Sequence, residues 1–149
     1  MNPFLLRPDE RIASWKLLRE ELKALDEPAA LQRVAEYWAE APIMKMAYDF
    51  EDCSEWPSPW EMISKGDWCP YSVAIGMEFT LRLAGWDKSR LTLMVIRDYD
   101  ISAQMMILKI DDDTVLNYSV GMVEEFPKTN YCVLAQFQSN GKRYFAITK

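Results

Sequence analysis

Apolar residues recur at three- and four-residue spacing through the first part of the chain and give way to short β-branched runs in its last third. Residues 8–25 carry Ile12, Trp15, Leu18, Leu22 and Leu25 on one stripe, while Glu10, Lys16, Glu20 and Lys23 face elsewhere. That spacing predicts an amphipathic helix. Asp26 reads as the cap of a second helix, with Pro28 in its first turn, where a missing N–H costs little. Its stripe is Leu31, Val34, Ala35 and Trp38, and Pro42 is expected to end it. A turn this short predicts an antiparallel helix pair over residues 1–42.

Residues 43–57 show no period, carry Asp49, Glu51, Asp52 and Glu55, and read as a surface crossing. Ser58-Pro59-Trp60-Glu61 has the spacing of a capping box, so a short helix is expected from there to about Gly66. A longer helix over 70–84 follows, with Val73, Met77, Leu81 and Ala84 on one face and Gly85 at its close. Beyond Asp87 the runs 91–97, 105–110, 114–118, 131–138 and 142–147 read as strands. Asp111-Asp112-Asp113 is a tight acidic turn, and Ser139-Asn140-Gly141 is a hairpin turn. Helices first and an antiparallel sheet after them define an α+β fold. One domain over 1–149 is expected, with cysteine-motif helices at 56–86 and the sheet at 91–148.

Composition narrows what such a domain does. Half the residues are hydrophobic, 27% are charged and the net charge is −6, with acidic residues scattered and no cluster of lysine or arginine. A phosphate backbone needs such a cluster, so nucleic acid and anionic membranes are not expected partners. No apolar run approaches the ~20 residues of a membrane span, and residues 1–7 lack a signal peptide's basic start and cleavage site. The three cysteines, Cys53, Cys69 and Cys132, are widely spaced. Free thiols in a reducing compartment are expected, with no metal site and no cofactor. The chain contains no histidine.

That absence matters because of Cys69, which falls just before the long helical pattern. A helix N-terminus favours a thiolate through its partial positive charge and free N–H groups. Thiol enzymes of this layout also need a base, usually imidazole, to take and return the proton.

The order W-P-S-P-W-E-M-I-S-K-G-D-W-C, a helix ending L-R-L-A-G-W and the strand L-T-L-M-V-I-R-D resembles the bacterial transglutaminase-like cysteine proteinases, within the papain-like α+β fold. The resemblance covers about residues 56–118. It implies a nucleophilic cysteine opening a helix, a histidine on a following strand and an aspartate on the next. Glu61, Gly66, Asp67 and Cys69 match the first motif, with Trp68 inserted before the cysteine and Pro70-Tyr71 replacing an acidic pair. Met105 falls at the histidine, or Gln104 with a one-residue shift, and Asn117 falls at the aspartate. Gln104 has an amide able to donate to an oxyanion, but an amide is no base near neutral pH. Asn117 is able to orient an imidazole, and the chain supplies none.

The resemblance, with its degenerate motifs, therefore implies a catalytically inactive protein of the kind carried by tailed bacteriophages. Such a protein would be a structural or interaction component of the virion neck or tail, or of its assembly, found in the particle or the host cytoplasm. Its partners would be other proteins, docked on the N-terminal helix pair or on the aromatic residues Trp56, Trp60, Trp68, Tyr71 and Trp86, which otherwise read as core. The alternative is a cysteine hydrolase or acyltransferase at Cys69, with its base supplied by Asp67, a partner or the substrate. Asp111–Asp113 lacks the spaced ligands and glycine of a calcium loop, and Met105 and Met106 read as strand packing.

Overall fold

At two helix starts a side-chain oxygen accepts from a backbone donor that the helix leaves open. The computed structural model describes residues 2–41, 56, 58–65, 69–126 and 130–147. Within them α1 spans Pro8–Lys23, α2 Glu27–Ala39, α3 Pro59–Lys65 and α4 Pro70–Leu83. Asp26 Oδ1 accepts from the Ala29 N–H at 2.9 Å, and Ser58 Oγ accepts from the Glu61 N–H at 3.2 Å. After α4, Gly85 takes φ +106° and the Trp86 N–H returns to the Leu81 carbonyl at 3.1 Å. Glycine reaches that left-handed ending without strain. Pro42, the expected crossing at 43–55 with Cys53, Pro57, and residues 66–68 with Asp67 and Trp68 lie outside the described residues.

The first two helices do not behave as a free-standing pair. α1 rests chiefly on α3 and α4, and α2 chiefly on α4. Leu25, expected on the α1 stripe, lies beyond the helix end and is exposed. Thr80 explains the arrangement. The indole N–H groups of Trp15 (α1) and Trp38 (α2) both donate to its hydroxyl, at 2.8 and 3.2 Å. One buried oxygen on α4 therefore anchors both helices. Gly76 makes room for this, since a Cβ there would stand 2.3 Å from the Trp38 ring.

The strands β1 (Leu91–Asp98), β2 (Ala103–Ile110), β3 (Thr114–Leu116), β4 (Val123–Glu125), β5 (Tyr131–Ser139) and β6 (Tyr144–Ile147) form one sheet in the order β4-β3-β2-β1-β5-β6. Every pairing in it is antiparallel, so the α+β class expected from the sequence is the one observed. β4 was not anticipated. β3 is shorter than expected because Asn117, at φ +69°, turns the chain out after Leu116. One sheet face, including Leu93, Val95, Met106, Leu108 and Leu116, packs on the helices. Met94, Ile96, Ile107 and Val115 lie on the other face, covered by Met105, Tyr118, Phe126 and Tyr131. Central β1 is consequently buried on both sides.

A buried charge ties the last hairpin to α4. Arg82 bonds both carboxylate oxygens of Glu78 at 3.0 and 3.2 Å, and the Tyr144 hydroxyl donates to Glu78 Oε1 at 2.7 Å. Glu78 is 1% exposed, so its charge depends on these partners. Burial, reinforced by the neighbouring Glu78 carboxylate, holds the Tyr144 phenol well above its ordinary range.

Candidate active site

Cys69 takes an extended conformation (φ −126°, ψ 170°) and forms the N-cap of α4. Its backbone N–H donates to Ser72 Oγ at 3.3 Å, and its Sγ shares a 3.1 Å hydrogen bond with the same hydroxyl. Ser72, at the third helical position, thus bonds back to the N-cap N–H as the N3 residue of a capping box does. The thiol thus stands where the backbone dipoles of α4 converge, beside a hydroxyl able to donate to it. Cys69 and Ser72 are both completely buried.

The strand register decides which residues face that helix. Met106 packs with α4 in the main core, whereas Met105 belongs to the opposite sheet face. Side chains two apart share a face, so Gln104 lies on the helix side with Met106. Gln104 accordingly reaches α4, its Nε2 donating to the Tyr71 hydroxyl at 2.8 Å. Its Oε1 accepts from Arg97 Nη2 at 3.2 Å. The alignment of Met105 with a histidine is therefore corrected, because the pleat sends that side chain away from the thiol's helix and leaves the facing positions to Gln104 and Met106. As an oxyanion donor, Gln104 is already engaged at both ends of its amide.

Asn117 lies at the end of β3, and its Nδ2 donates to the Met106 carbonyl at 2.9 Å. This bond fixes the amide, since a carbonyl accepts only from the nitrogen. Asn117, Met106 and Met105 line a cavity of about 240 Å³ with Trp38 of α2 and with Val73 and Met77 of α4. The loop residues Val120 and Gly121 complete its rim. Val73 lies one helical turn beyond Cys69, a rise of about 6 Å. Asn117 thus lies at an apolar cavity walled in part by α4, the helix that Cys69 opens.

The aromatic candidates do not converge on a partner groove, because most are consumed by the core. Trp56 is buried against Phe137 and Tyr144, with ring centroids at 4.8 and 5.3 Å, and Tyr71 is buried as well. Trp86 packs on the core under the Arg90 guanidinium. Trp60 alone of the described four is exposed, with Trp15 against its ring and Arg19 over it. The acidic turn serves packing too, as Arg90 bonds both oxygens of Asp111 at 2.9 Å and both of Glu27. These bonds hold the Glu27 and Asp111 carboxyls below the ordinary range. Among the described residues no three His, Cys, Asp or Glu side chains converge as a metal site, and no helix is long and apolar enough to cross a membrane.

Sequence reasoning missed Ser72, Thr80 and the cavity. The Cys69–Ser72 spacing repeats that of Ser58–Glu61, a signal that was available. Nothing local marks Thr80, whose two partners are 42 and 65 residues away.

A helix-first α+β domain, with a thiol capping the helix that packs on a central antiparallel sheet, has the architecture of transglutaminase-like cysteine proteases. No family model and no curated protein matches the chain. Solved structures do match. Legionella pneumophila LapG aligns with a TM-score of 0.73 at 16% identity, over 93% of this chain and 77% of LapG. Its calcium-bound form aligns at 0.69 and 16%, over 89% and 76%. Its EGTA-treated form aligns at 0.73, again over 93% and 77%.

At this identity the likeness carries the fold. The expectation of an inactive domain is corrected: the solved structures that share this fold include those of LapG, an active cysteine protease, so the fold itself gives no ground for reading a pseudoenzyme. They lend no support to a phage structural role.

Proposed function

We propose that the protein is a cysteine hydrolase or acyltransferase whose nucleophile is Cys69. The observation that carries this reading is the placement of that sulfur at the N-cap of α4, hydrogen-bonded to Ser72, in a fold shared with a cysteine protease. In the reaction, the sulfur bonds to the carbonyl carbon of an ester, thioester or amide. The bond to the leaving group breaks, and that group departs with the thiol's proton. Water or a second nucleophile then takes the acyl group from the thioester and restores the thiol.

No histidine of this chain is available to carry the proton. Asp67, two positions before the thiol, or a group brought by substrate or partner, serves in its place. Loss of positioned acid–base help typically lowers rate by ~10²–10⁴, so turnover by the chain alone is slow.

Competitive labelling tests the assignment. Cys132 is partly exposed and Cys69 is buried, so an unactivated pair reacts with Cys132 first. Under limiting iodoacetamide at pH 7, peptide mass spectrometry is expected to find Cys69 alkylated ahead of Cys132. Labelling of Cys69 only after denaturation refutes its role as nucleophile.

A further inference from the structure

Partly buried arginines in this fold sit on oxygen. Arg11 donates to the carbonyls of Leu6, Ile63 and Ser64, Arg33 meets Glu21, Arg82 meets Glu78, and Arg90 meets Glu27 and Asp111. Arg19 is the exception among the described residues. Its guanidinium lies over the Trp15 ring at 4.7 Å and the Trp60 ring at 5.4 Å, and its Nε is buried with no hydrogen-bond acceptor. The neighbouring Glu20 carboxylate is taken up by Lys23 at 3.1 Å. Burial accordingly lowers the Arg19 pKa, and the charge of Glu20 does not cancel the effect.

A second cation stands beside it. Lys16 Nζ lies 5.8 Å from the centre of the Trp60 ring, and among the described residues it too has no carboxylate within ion-pair reach. Trp60 itself is 40% exposed. The seam of α1 and α3 therefore presents an indole flanked by two cations that lack counter-charges, in a chain whose net charge is −6.

Such a surface selects an anion. Cations resting on rings are already ordered, so little freedom is lost when a carboxylate arrives. Two cations are too few to hold a phosphate backbone or an anionic bilayer. The chain as a whole repels acids, so affinity for one has to come from this patch. Tryptophan and arginine are also the side chains that most often anchor protein interfaces. We propose that Lys16, Arg19 and Trp60 dock an acidic segment of a partner protein, whose carboxylates meet the two cations while an apolar side chain covers the indole. The inference uses no residue of the Cys69 site and stands apart from the acyl-transfer reading.

Indole N–H NMR of the full chain reads the contact, and Trp60→Phe identifies the signal that belongs to Trp60. The probe is the peptide acetyl-Asp-Glu-Phe-Glu-Asp-amide, with acetyl-Asn-Gln-Phe-Gln-Asn-amide as its uncharged counterpart. The acidic peptide is expected to shift the Trp60 signal saturably, and the uncharged one to bind about tenfold more weakly or less. Arg19→Gln is expected to weaken the acidic peptide by about tenfold, the loss of one charge-assisted hydrogen bond, and to leave the uncharged one unchanged. Lys16→Gln, at an exposed position, is expected to weaken the acidic peptide by about twofold to fivefold. A Trp60 signal that does not move, equal affinity for the two peptides, or both variants binding the acidic peptide as tightly as wild type overturns the proposal. Inorganic phosphate binding as tightly as the acidic peptide overturns it as well, because the surface is then a simple anion site.

Discussion

Replacing Thr80 by valine tests whether one hydroxyl orients both N-terminal helices. Valine matches threonine in shape and removes the oxygen that accepts from Trp15 Nε1 at 2.8 Å and Trp38 Nε1 at 3.2 Å. Both indoles are essentially fully buried, so neither N–H has water as a substitute. An orphaned buried donor costs about 1–3 kcal/mol, which makes about 2–6 kcal/mol for the pair. Losses at the low end are expected if the rings tilt towards the Gly76 carbonyl, which Thr80 now occupies at 2.6 Å. A loss of about 3 kcal/mol lowers Tm by roughly 6–12 °C in a chain of this size. Thr80→Ser keeps the oxygen and removes only a methyl group, for about 1 kcal/mol. Urea unfolding of the three proteins gives the comparison. Thr80→Val within about 0.5 kcal/mol of wild type, or Thr80→Ser less stable than Thr80→Val, refutes the reasoning.

Arg90 predicts a pH effect. Glu27 and Asp111 titrate lower folded than unfolded, so their stabilisation is present above about pH 4 and is lost as pH falls through their folded values. Arg90→Gln is expected to flatten that acid limb in thermal melts at pH 2–6, and an unchanged limb counts against the assignment. Tyr144→Phe removes a hydrogen bond to the buried Glu78 carboxylate and is expected to cost about 1.5–3 kcal/mol in urea unfolding. Because Tyr144 titrates above its ordinary range, wild type is also expected to lose stability as pH rises beyond about 10, and Tyr144→Phe to lose less.

Local chemistry was legible in the chain wherever its partner lay within a few residues. Asp26 and Ser58 cap helices, Gly85 ends α4, and Asn140 Oδ1 accepts from the Lys142 and Arg143 N–H groups in the expected hairpin turn. Placement of Cys69 at a helix start belongs to the same kind. β4 was missed because Val123-Glu124-Glu125 has too few residues to show alternation, and only its pairing with β3 makes it a strand. The choice between Met105 and Gln104 at the histidine position stayed open because a strand's period says which residues share a side, not which side meets the helices. The cavity was invisible for a related reason, as it joins residues of α2, α4, β2 and the loop after β3. The lack of histidine predicts an inactive domain from the sequence, whereas the shared fold turns the question to which other group carries the proton.

Acyl transfer to sulfur is the step on which the functional reading stands, and p-nitrophenyl acetate offers it in its simplest form. Wild-type protein is mixed with the ester at pH 7.5 and quenched, and the peptide containing residue 69 is weighed. An acetyl group on Cys69 that forms before steady turnover, with both adduct and turnover absent from Cys69→Ser, is the predicted result. Acetylation confined to Cys53 or Cys132, or p-nitrophenol release unchanged in Cys69→Ser, would contradict it.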